Sequence, residues 1–157
     1  MSSMGAFETG AAGDILVLSV LPAQEDHAAL NSIFRDSNWP LCPGSPWVLK
    51  SSRNLNEALP ILRNGGISVV VCERDLQPGT WQNMVEALAL LPDPPYLIVT
   101  SRHADDRLWV EALNLGAYDV LQTPFQAGEV TRTLSCAWSR WGERHQSKVS
   151  KAAKSVA

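Results

Sequence analysis

Residues 67–81 read Ile-Ser-Val-Val-Val-Cys-Glu-Arg-Asp-Leu-Gln-Pro-Gly-Thr-Trp, and this stretch indicates the fold. The apolar run at 69–72 lacks the alternation of a half-exposed strand. It is typical of a strand covered on both faces, as in a parallel sheet flanked by helices. Glu73, Arg74 and Asp75 follow where that strand ends. Because open α/β sheets place their working groups at the carboxyl ends of strands, these charges are the first candidates for a functional site; an ordinary solvated loop is the alternative.

The same alternation of strand and helix patterns runs through most of the chain. Helical spacing of apolar residues follows each strand-like run, and Asn54 and Thr80 are placed to cap two of the helices. The sequence therefore predicts a (βα)5 α/β fold, with a five-stranded parallel sheet between two helical layers. The five strand-like runs are residues 15–18, 47–51, 69–72, 96–99 and 120–121.

Length and charge divide the chain into three predicted parts. The 157 residues, 45% of them hydrophobic and 18% charged, are enough for one globular domain, which we place at 14–141. Residues 1–13 are expected to be a disordered leader. Residues 1–139 hold 8 Lys and Arg against 15 Asp and Glu, a net charge of −7, whereas residues 140–157 hold 5 against 1, a net charge of +4. Residues 142–157 are therefore predicted to be a basic helical extension or tail.

The cysteines and the hydropathy of the chain indicate in which cellular compartment the protein is expected. The three cysteines are widely spaced, with no Cys-x-x-Cys pair and no histidine at metal-ligand spacing, so neither a disulfide framework nor a zinc site is indicated. No apolar run approaches membrane-spanning length, and the first residues lack the pattern of a signal peptide. We expect a cytoplasmic protein that does not contact a membrane.

Residues 116–125, Gly-Ala-Tyr-Asp-Val-Leu-Gln-Thr-Pro-Phe, resemble the Gly-Ala-x-Asp-x-Leu-x-Lys-Pro-Phe motif of response-regulator receiver domains. The strand with an acid and a Pro-Gly turn at 69–79, and the run ending in Thr100, lie at matching distances before it. The resemblance covers about residues 14–141 and implies a flavodoxin-like, doubly wound sheet. It also implies a role in bacterial two-component phosphorelay signalling, in which the domain is a response regulator and not an enzyme.

The resemblance implies a phosphorylation site whose positions this sequence fills unusually. Receivers carry an acidic pair after the first strand, where this chain has Ser19 and Val20, and an acceptor aspartate after the third, where it has Glu73. The hydroxyl after the fourth strand matches Thr100. The lysine before the conserved proline is replaced by Thr123. Pro124 matches that proline, for which the family has a cis peptide bond.

These replacements predict that phosphoryl transfer is lost. Phosphoryl transfer in the family needs a divalent cation held by oxygen ligands, and without acids at Ser19 and Val20 the Mg²⁺ site is predicted to be lost, leaving no cofactor. The extra methylene of Glu73 moves its carboxylate by on the order of 1 Å, enough to cost ~10²-fold in a reaction that depends on positioning. The interpretation is a degenerate, phosphorylation-independent receiver that acts by protein–protein interaction.

Several alternatives remain open at this level. In one alternative the protein is a functional receiver whose phosphate acceptor is Asp75 or Glu73 itself. Glu25 or Asp26 would then replace the missing acidic pair, although these two are expected to be surface residues at the start of a helix. Glu73 is alternatively a permanent charge that mimics phosphorylation, or an acid simply tolerated at a strand end. A flavodoxin-like cofactor-binding enzyme is a weaker alternative, because no nucleotide-binding glycine motif or Ser/His/Asp grouping is present.

The partner is expected to be a protein. In the family the face formed by the fourth helix, fifth strand and fifth helix carries dimerisation and docking, and Trp109, Trp138 and Trp141 are predicted in or near it. One of the last two is expected to close the core instead. The partner is then a signalling protein or a second copy, as a homodimer. No output domain follows the motif, so a stand-alone protein is expected. Nucleic acid is not the expected partner; the lysines of the tail are a basic stripe or a solvated end.

Overall fold

The computed structural model describes residues 13–39 and 46–156, with side chains as far as Gln146. Residues 1–12 of the leader predicted at 1–13, and most of the loop between the first helix and the second strand, lie outside this part of the chain. The rest forms strands and helices in strict alternation. The predicted order of elements is confirmed.

Five parallel strands form one sheet in the order β2-β1-β3-β4-β5. The central strand is the apolar run predicted from its sequence, and its first six residues are buried. The order reverses between β1 and β3, so a crevice opens at the carboxyl ends of these two strands. The strands are β1 (Ile15–Val20), β2 (Trp47–Ser52), β3 (Ile67–Glu73), β4 (Tyr96–Ser101) and β5 (Asp119–Gln122).

Within residues 13–39 and 46–156, five helices connect and follow the strands: α1 (Gln24–Asp36), α2 (Leu55–Arg63), α3 (Trp81–Ala89), α4 (Asp106–Leu115) and α5 (Ala127–Val156). Local chemistry sets several of their ends. Thr80 Oγ1 accepts a hydrogen bond from Asn83 N at 3.1 Å and Asn83 Oδ1 accepts one from Thr80 N at 3.0 Å, which completes a capping box. Asn54 and Asp105 cap α2 and α4 through their side chains.

Apolar side chains bury both faces of the sheet. One layer packs α2, α3 and α4 against residues such as Val20, Val70 and Cys72; the other packs α1 and α5 against Val17 and Val69. Burial raises the pKa of the Cys72 thiol to about 12, so this cysteine is a core residue with no thiolate character at neutral pH. The predicted three-layer α/β/α architecture is therefore observed.

Two further observations concern the ends of the domain. The Thr123–Pro124 peptide bond is cis, as the resemblance implies, and so is Gln77–Pro78. Helix α5 continues without interruption to Val156, so the basic residues that follow Gly142 belong to the same helix as those before it. No helix in the described ranges is both long and apolar enough to cross a membrane.

Candidate functional site

Glu73 lies at the carboxyl end of the central strand and faces the crevice. Its strand register places it beside Thr100 of β4. The Thr100 hydroxyl donates to Glu73 Oε1 at 3.4 Å, and the Asp75 backbone N–H donates to Glu73 Oε2 at 3.2 Å. The carboxylate is thus held in one orientation by a donor on each oxygen.

The environment of Glu73 opposes its ionisation. Burial is the largest influence and raises the pKa of the Glu73 carboxyl, and the negative charges of Asp75 and Asp26 raise it further. The hydrogen bonds from Asp75 N and Thr100 act in the opposite direction and do not cancel the rise. A carboxyl group at this strand end therefore gains a proton more readily than a free glutamate does.

Asp26 is the acidic neighbour that the sequence interpretation misplaced. It was expected to be a surface residue at the helix start, but only 7% of it is exposed and its charge acts on Glu73. The expectation was wrong because Asp26 precedes Leu30 and Ile33 by four and seven residues, so it lies on the buried stripe of α1. That spacing was the available signal. Glu25, one residue earlier, is exposed as expected and pairs with Arg102 at 3.3 Å.

The end of β1 lies beside this crevice but is closed. Ser19 and Val20 both have 0% exposure, and Val20 belongs to the apolar cluster on the α2–α4 side. The Ser19 hydroxyl is 3.5 Å from the Lys50 carbonyl oxygen of the neighbouring strand, and Ser52 Oγ donates to the Ser19 carbonyl at 2.9 Å. These two positions contribute packing and strand contacts, and neither supplies a carboxylate.

The hydroxyls predicted at the site have different surroundings. Thr100 is fully buried and bonds to Glu73, as described above. Thr123 is 1% exposed, and its Oγ1 has no hydrogen-bond partner within the part of the chain that is described, although its backbone N–H donates to the Ser101 carbonyl at 3.0 Å. Pro124 follows on the exposed side of the loop. Thr123 is a neutral residue, so this position supplies no positive charge to the crevice.

Asp75 does not reach the depth of Glu73. β3 ends at Glu73, and the chain then turns, so that Asp75 projects into solvent with 75% of its side chain exposed. Its carboxylate lies 3.5 Å from Arg74 Nε. Asp75 contributes a backbone donor and a nearby negative charge to the site. No group of three or more His, Cys, Asp or Glu side chains suited to a metal ion occurs among the described residues.

The three predicted interface tryptophans lie in different places. Trp109 projects from α4 and is 45% exposed. Trp138 packs on the core layer of α1 and α5, with its ring 6.2 Å from that of Trp47 on the opposite edge strand. Trp141 stacks on His145 at the amino end of the sheet. Trp138 thus takes the core-closing position expected of one of the two, and the structure does not bring the three together on one face.

Comparisons with known proteins show the fold. No family model matches the chain, and no curated protein matches it either. Among solved structures, it resembles the signal receiver domain of an HD domain-containing protein from Pseudomonas fluorescens Pf-5. The TM-score is 0.72 at 19% identity, over 87% of this chain and 95% of that one.

Two further solved structures also resemble the chain, with slightly lower TM-scores. The beryllofluoride-activated NtrC4 receiver domain dimer has a TM-score of 0.68 at 21% identity, covering 80% of this chain and 98% of that one. The chemotaxis response regulator CheY4 of Vibrio cholerae has a TM-score of 0.66 at 15% identity, covering 78% and 98%. The chain therefore has the fold of a response-regulator receiver domain.

Proposed function

We propose that the protein is a receiver-like module of two-component signalling that works by protein contact and does not take up a phosphoryl group. The observation that carries this proposal is the closed end of β1. Where the resemblance implies two metal-binding acids, Ser19 and Val20 are fully buried and supply no carboxylate. The receiver fold of the chain supports the signalling class.

The residues around the crevice do not fit a magnesium ion. Mg²⁺ is octahedral, and in phosphoryl transfer it neutralises the charge on the transferring group. Glu73 and Asp26 are the acids described at the buried part of the crevice, and Glu73 already accepts two hydrogen bonds. Thr123 adds a neutral hydroxyl where the family has a cation. Phosphoryl transfer therefore lacks both its metal and its positive side chain here.

The contact of Thr100 with Glu73 bears on the alternative in which Glu73 mimics a phosphorylated acceptor. The Thr100 hydroxyl donates to Glu73 Oε1 at 3.4 Å, and the resemblance places this hydroxyl at the phosphorylation site. The raised pKa of Glu73 works against a permanent full charge, and Thr123 provides no cation to answer that charge. Glu73 is better described as a structural residue whose hydrogen bond with Thr100 links the ends of β3 and β4.

The contact surface that we propose is the outer face of α4. Trp109 and the adjacent Val110 are 45% and 57% exposed on this helix, away from its buried residues Leu108 and Ala112. Exposed aromatics at a helix face are typical interface anchors. A signalling protein or a second copy of the chain is the partner we propose for this surface.

One experiment with two readouts tests the proposal. The protein is incubated with acetyl phosphate and Mg²⁺, then intact mass and molar mass by light scattering are measured on the same sample. We expect no added phosphoryl group and no change in association. Trp109→Ser is expected to weaken association while its fold, followed by circular dichroism, is retained.

An authentic receiver domain treated in parallel must gain the phosphoryl mass, which validates the donor. A mass gain in this protein that disappears in Glu73→Gln or Asp75→Asn would overturn the proposal and identify the acceptor. Association that responds to acetyl phosphate would contradict it equally.

A further inference from the structure

An open apolar groove of about 240 Å³ lies between the carboxyl-terminal ends of α3 and α4. Leu88 and Leu97 form its buried floor, whereas Leu115 stands at its rim and is 45% exposed. Gln82 of α3 donates to Glu111 Oε2 of α4 at 3.3 Å, which ties the two helices together on the side nearer the carboxyl edge of the sheet. An exposed leucine beside an apolar floor suits the apolar face of another element. We call this site the α3–α4 groove.

The groove lies at the negative ends of two helices. Ala89, the last residue of α3, and Gly116, which caps α4, both line it. The last carbonyl groups of a helix carry a partial negative charge that favours a cation nearby. Neither of these two described helices has a basic residue in its last turn. An occupant that brings positive charge to the groove would therefore be stabilised there.

The exposed side chains beside the groove add negative charge. α3 and α4 together hold three acids, Glu86, Asp106 and Glu111, against the single base Arg107, a net charge of −2. All four are exposed. Glu86 directly follows Val85 of the lining, and neither it nor Glu111 forms an ion pair among the described residues. This charge is complementary to a basic partner element.

Arg144 is the basic residue of the groove lining, and its charge is already engaged within the chain. Its guanidinium lies 4.7 Å from the centre of the Tyr96 ring and donates to the Pro94 carbonyl. It also stands 4.0 Å from Asp93 Oδ1. These contacts hold Arg144 at one end of the groove and leave the glutamates of α3 and α4 to a partner.

Helix α5 supplies a basic element that projects from the same chain. Its last described side-chain contacts with the loop before β4 are those of Arg144 and His145. The helix then continues unbroken to Val156. At 1.5 Å per residue, residues 146–156, which we call the α5 extension, reach about 16 Å beyond that loop. Because α5 packs on the sheet face opposite α3 and α4 and does not bend back, the extension does not enter the groove of its own chain.

The sequence of the α5 extension is that of a basic amphipathic helix. It holds three lysines and no acid, a net charge of +3. Its apolar residues have the i, i+3, i+4, i+7 spacing of a helix with one apolar face. These are Val149, Ala152, Ala153 and Val156, and the lysines are Lys148, Lys151 and Lys154. Such a helix is complementary to an apolar groove edged by acids.

We propose that the α5 extension of one copy docks as a helix in the α3–α4 groove of a second copy. Its valines and alanines pack against Leu88 and Leu115, and its lysines face Glu86 and Glu111. Two extensions do not pair with each other, since both are basic. The contact is head-to-tail, so copies add until a ring closes or a chain forms. This inference rests on the proposed function, because it names the element that meets α4.

The test measures the molar mass of the full-length protein by light scattering at increasing concentration, at low and at high salt. We expect the mass to rise with concentration and to fall with salt, because screening weakens contacts between exposed charges. The groove variant carries Glu86→Lys and Glu111→Lys, and the extension variant carries Lys148→Glu, Lys151→Glu and Lys154→Glu. Each is expected to weaken self-association by roughly tenfold or more. An equimolar mixture of the two should associate again, because the basic groove of one meets the acidic extension of the other.

Glu25→Lys with Asp36→Lys is the matched control for the groove variant. It makes the same change of charge at exposed positions of α1, on the opposite face of the sheet, and should associate as the wild type does. Circular dichroism and thermal unfolding of every variant separate loss of the contact from loss of the fold.

A wild type that stays monomeric overturns the proposal and leaves the groove to a different protein. Association that the groove variant loses but the extension variant keeps overturns it also, because the groove would then bind another part of the second copy. A mixture of the two variants that stays monomeric contradicts it equally. The proposed function fails separately, through a gain of phosphoryl mass with acetyl phosphate, which none of these measurements reads.

Discussion

The carboxyl ends of β1 and β3 are neighbours in the sheet, yet they have opposite characters. Val20 of β1 pairs in register with Cys72 of β3, and both are fully buried. β3 then continues one residue further to Glu73, which is half-buried and bonded to Thr100. The same edge is therefore closed as core at one strand and open and polar at the next. The fold supplies the crevice, but the burial of individual side chains decides which chemistry is available in it.

The difference follows from what each environment does to a charge. A carboxylate at the end of β1 would stand among apolar side chains with no described cation beside it, and moving an unpaired charge there is costly. Glu73 is tolerated because two hydrogen-bond donors reach its oxygens. Even so, burial raises its pKa. The end of β1 thus excludes a charged side chain, whereas the end of β3 accommodates one at some cost.

Val20→Asp is the change with the largest expected effect on this comparison. The aspartate would be an uncompensated charge at a fully buried position, so the free energy of unfolding should fall by about 3–5 kcal/mol. Urea unfolding measures it, with Val110→Asp, at an exposed position of α4, as the control that should change by less than about 0.5 kcal/mol. Recovery of stability on adding Mg²⁺ would break the comparison, because it would mean that this edge binds metal once an acid is present.

Thr123→Val is expected to have a moderate effect in the opposite direction. The Thr123 hydroxyl is buried and has no partner in the described part of the protein, so replacing it with a methyl group should raise the free energy of unfolding by about 1 kcal/mol. Thr100→Val is the matched control, since it removes a hydroxyl that does bond, and it should lower stability by about 0.5–1.5 kcal/mol. A stability loss in Thr123→Val would reveal a contact made by that hydroxyl in solution.

Glu73→Gln has the smallest expected effect and depends on pH. The folded state raises the pKa of Glu73, so folded protein binds the proton more tightly than unfolded protein does. Stability contributed by the protonated form is present below the unfolded-state pKa and is lost as pH rises through the higher folded-state pKa. Glutamine does not ionise, so the free energy of unfolding of Glu73→Gln does not fall as pH rises through this range. The variant should therefore be slightly more stable than wild type at pH 7, and the difference should shrink towards acidic pH.

Urea unfolding across pH 4 to 8 measures this difference, and Glu86→Gln on the exposed surface of α3 is the matched control. A wild type more stable than Glu73→Gln at pH 7 would show that the ionised carboxylate is stabilised by its donors more than it is penalised by burial. That result would strengthen the interpretation of Glu73 as a permanent charge.

Much of the fold was predictable because its signals are local. The apolar run of β3, the capping residues Asn54 and Thr80, and the stripe of Val130, Leu134 and Ala137 on α5 all act within a few residues, and each is observed as expected. The candidate site was less predictable. Asp26 reaches Glu73 only because α1 packs its inner stripe over the crevice, which depends on how two elements approach each other.

The tryptophans show the same division. Helical spacing placed Trp138 and Trp141 on α5, but it did not indicate that one meets Trp47 across the sheet and the other caps an apolar cavity. Those contacts join residues far apart in the chain.

The sequence by itself determined the order of strands and helices, and the absence of acids at Ser19 and Val20 and of a lysine at Thr123, because residue type and periodicity are read along the chain. Only the tertiary structure decided that the end of β1 is sealed, that Thr100 and Asp26 both act on Glu73, and that Trp141 carries an unsatisfied donor. Burial and electrostatic interaction depend on distances between elements, and these distances exist only after the helices have packed on the sheet.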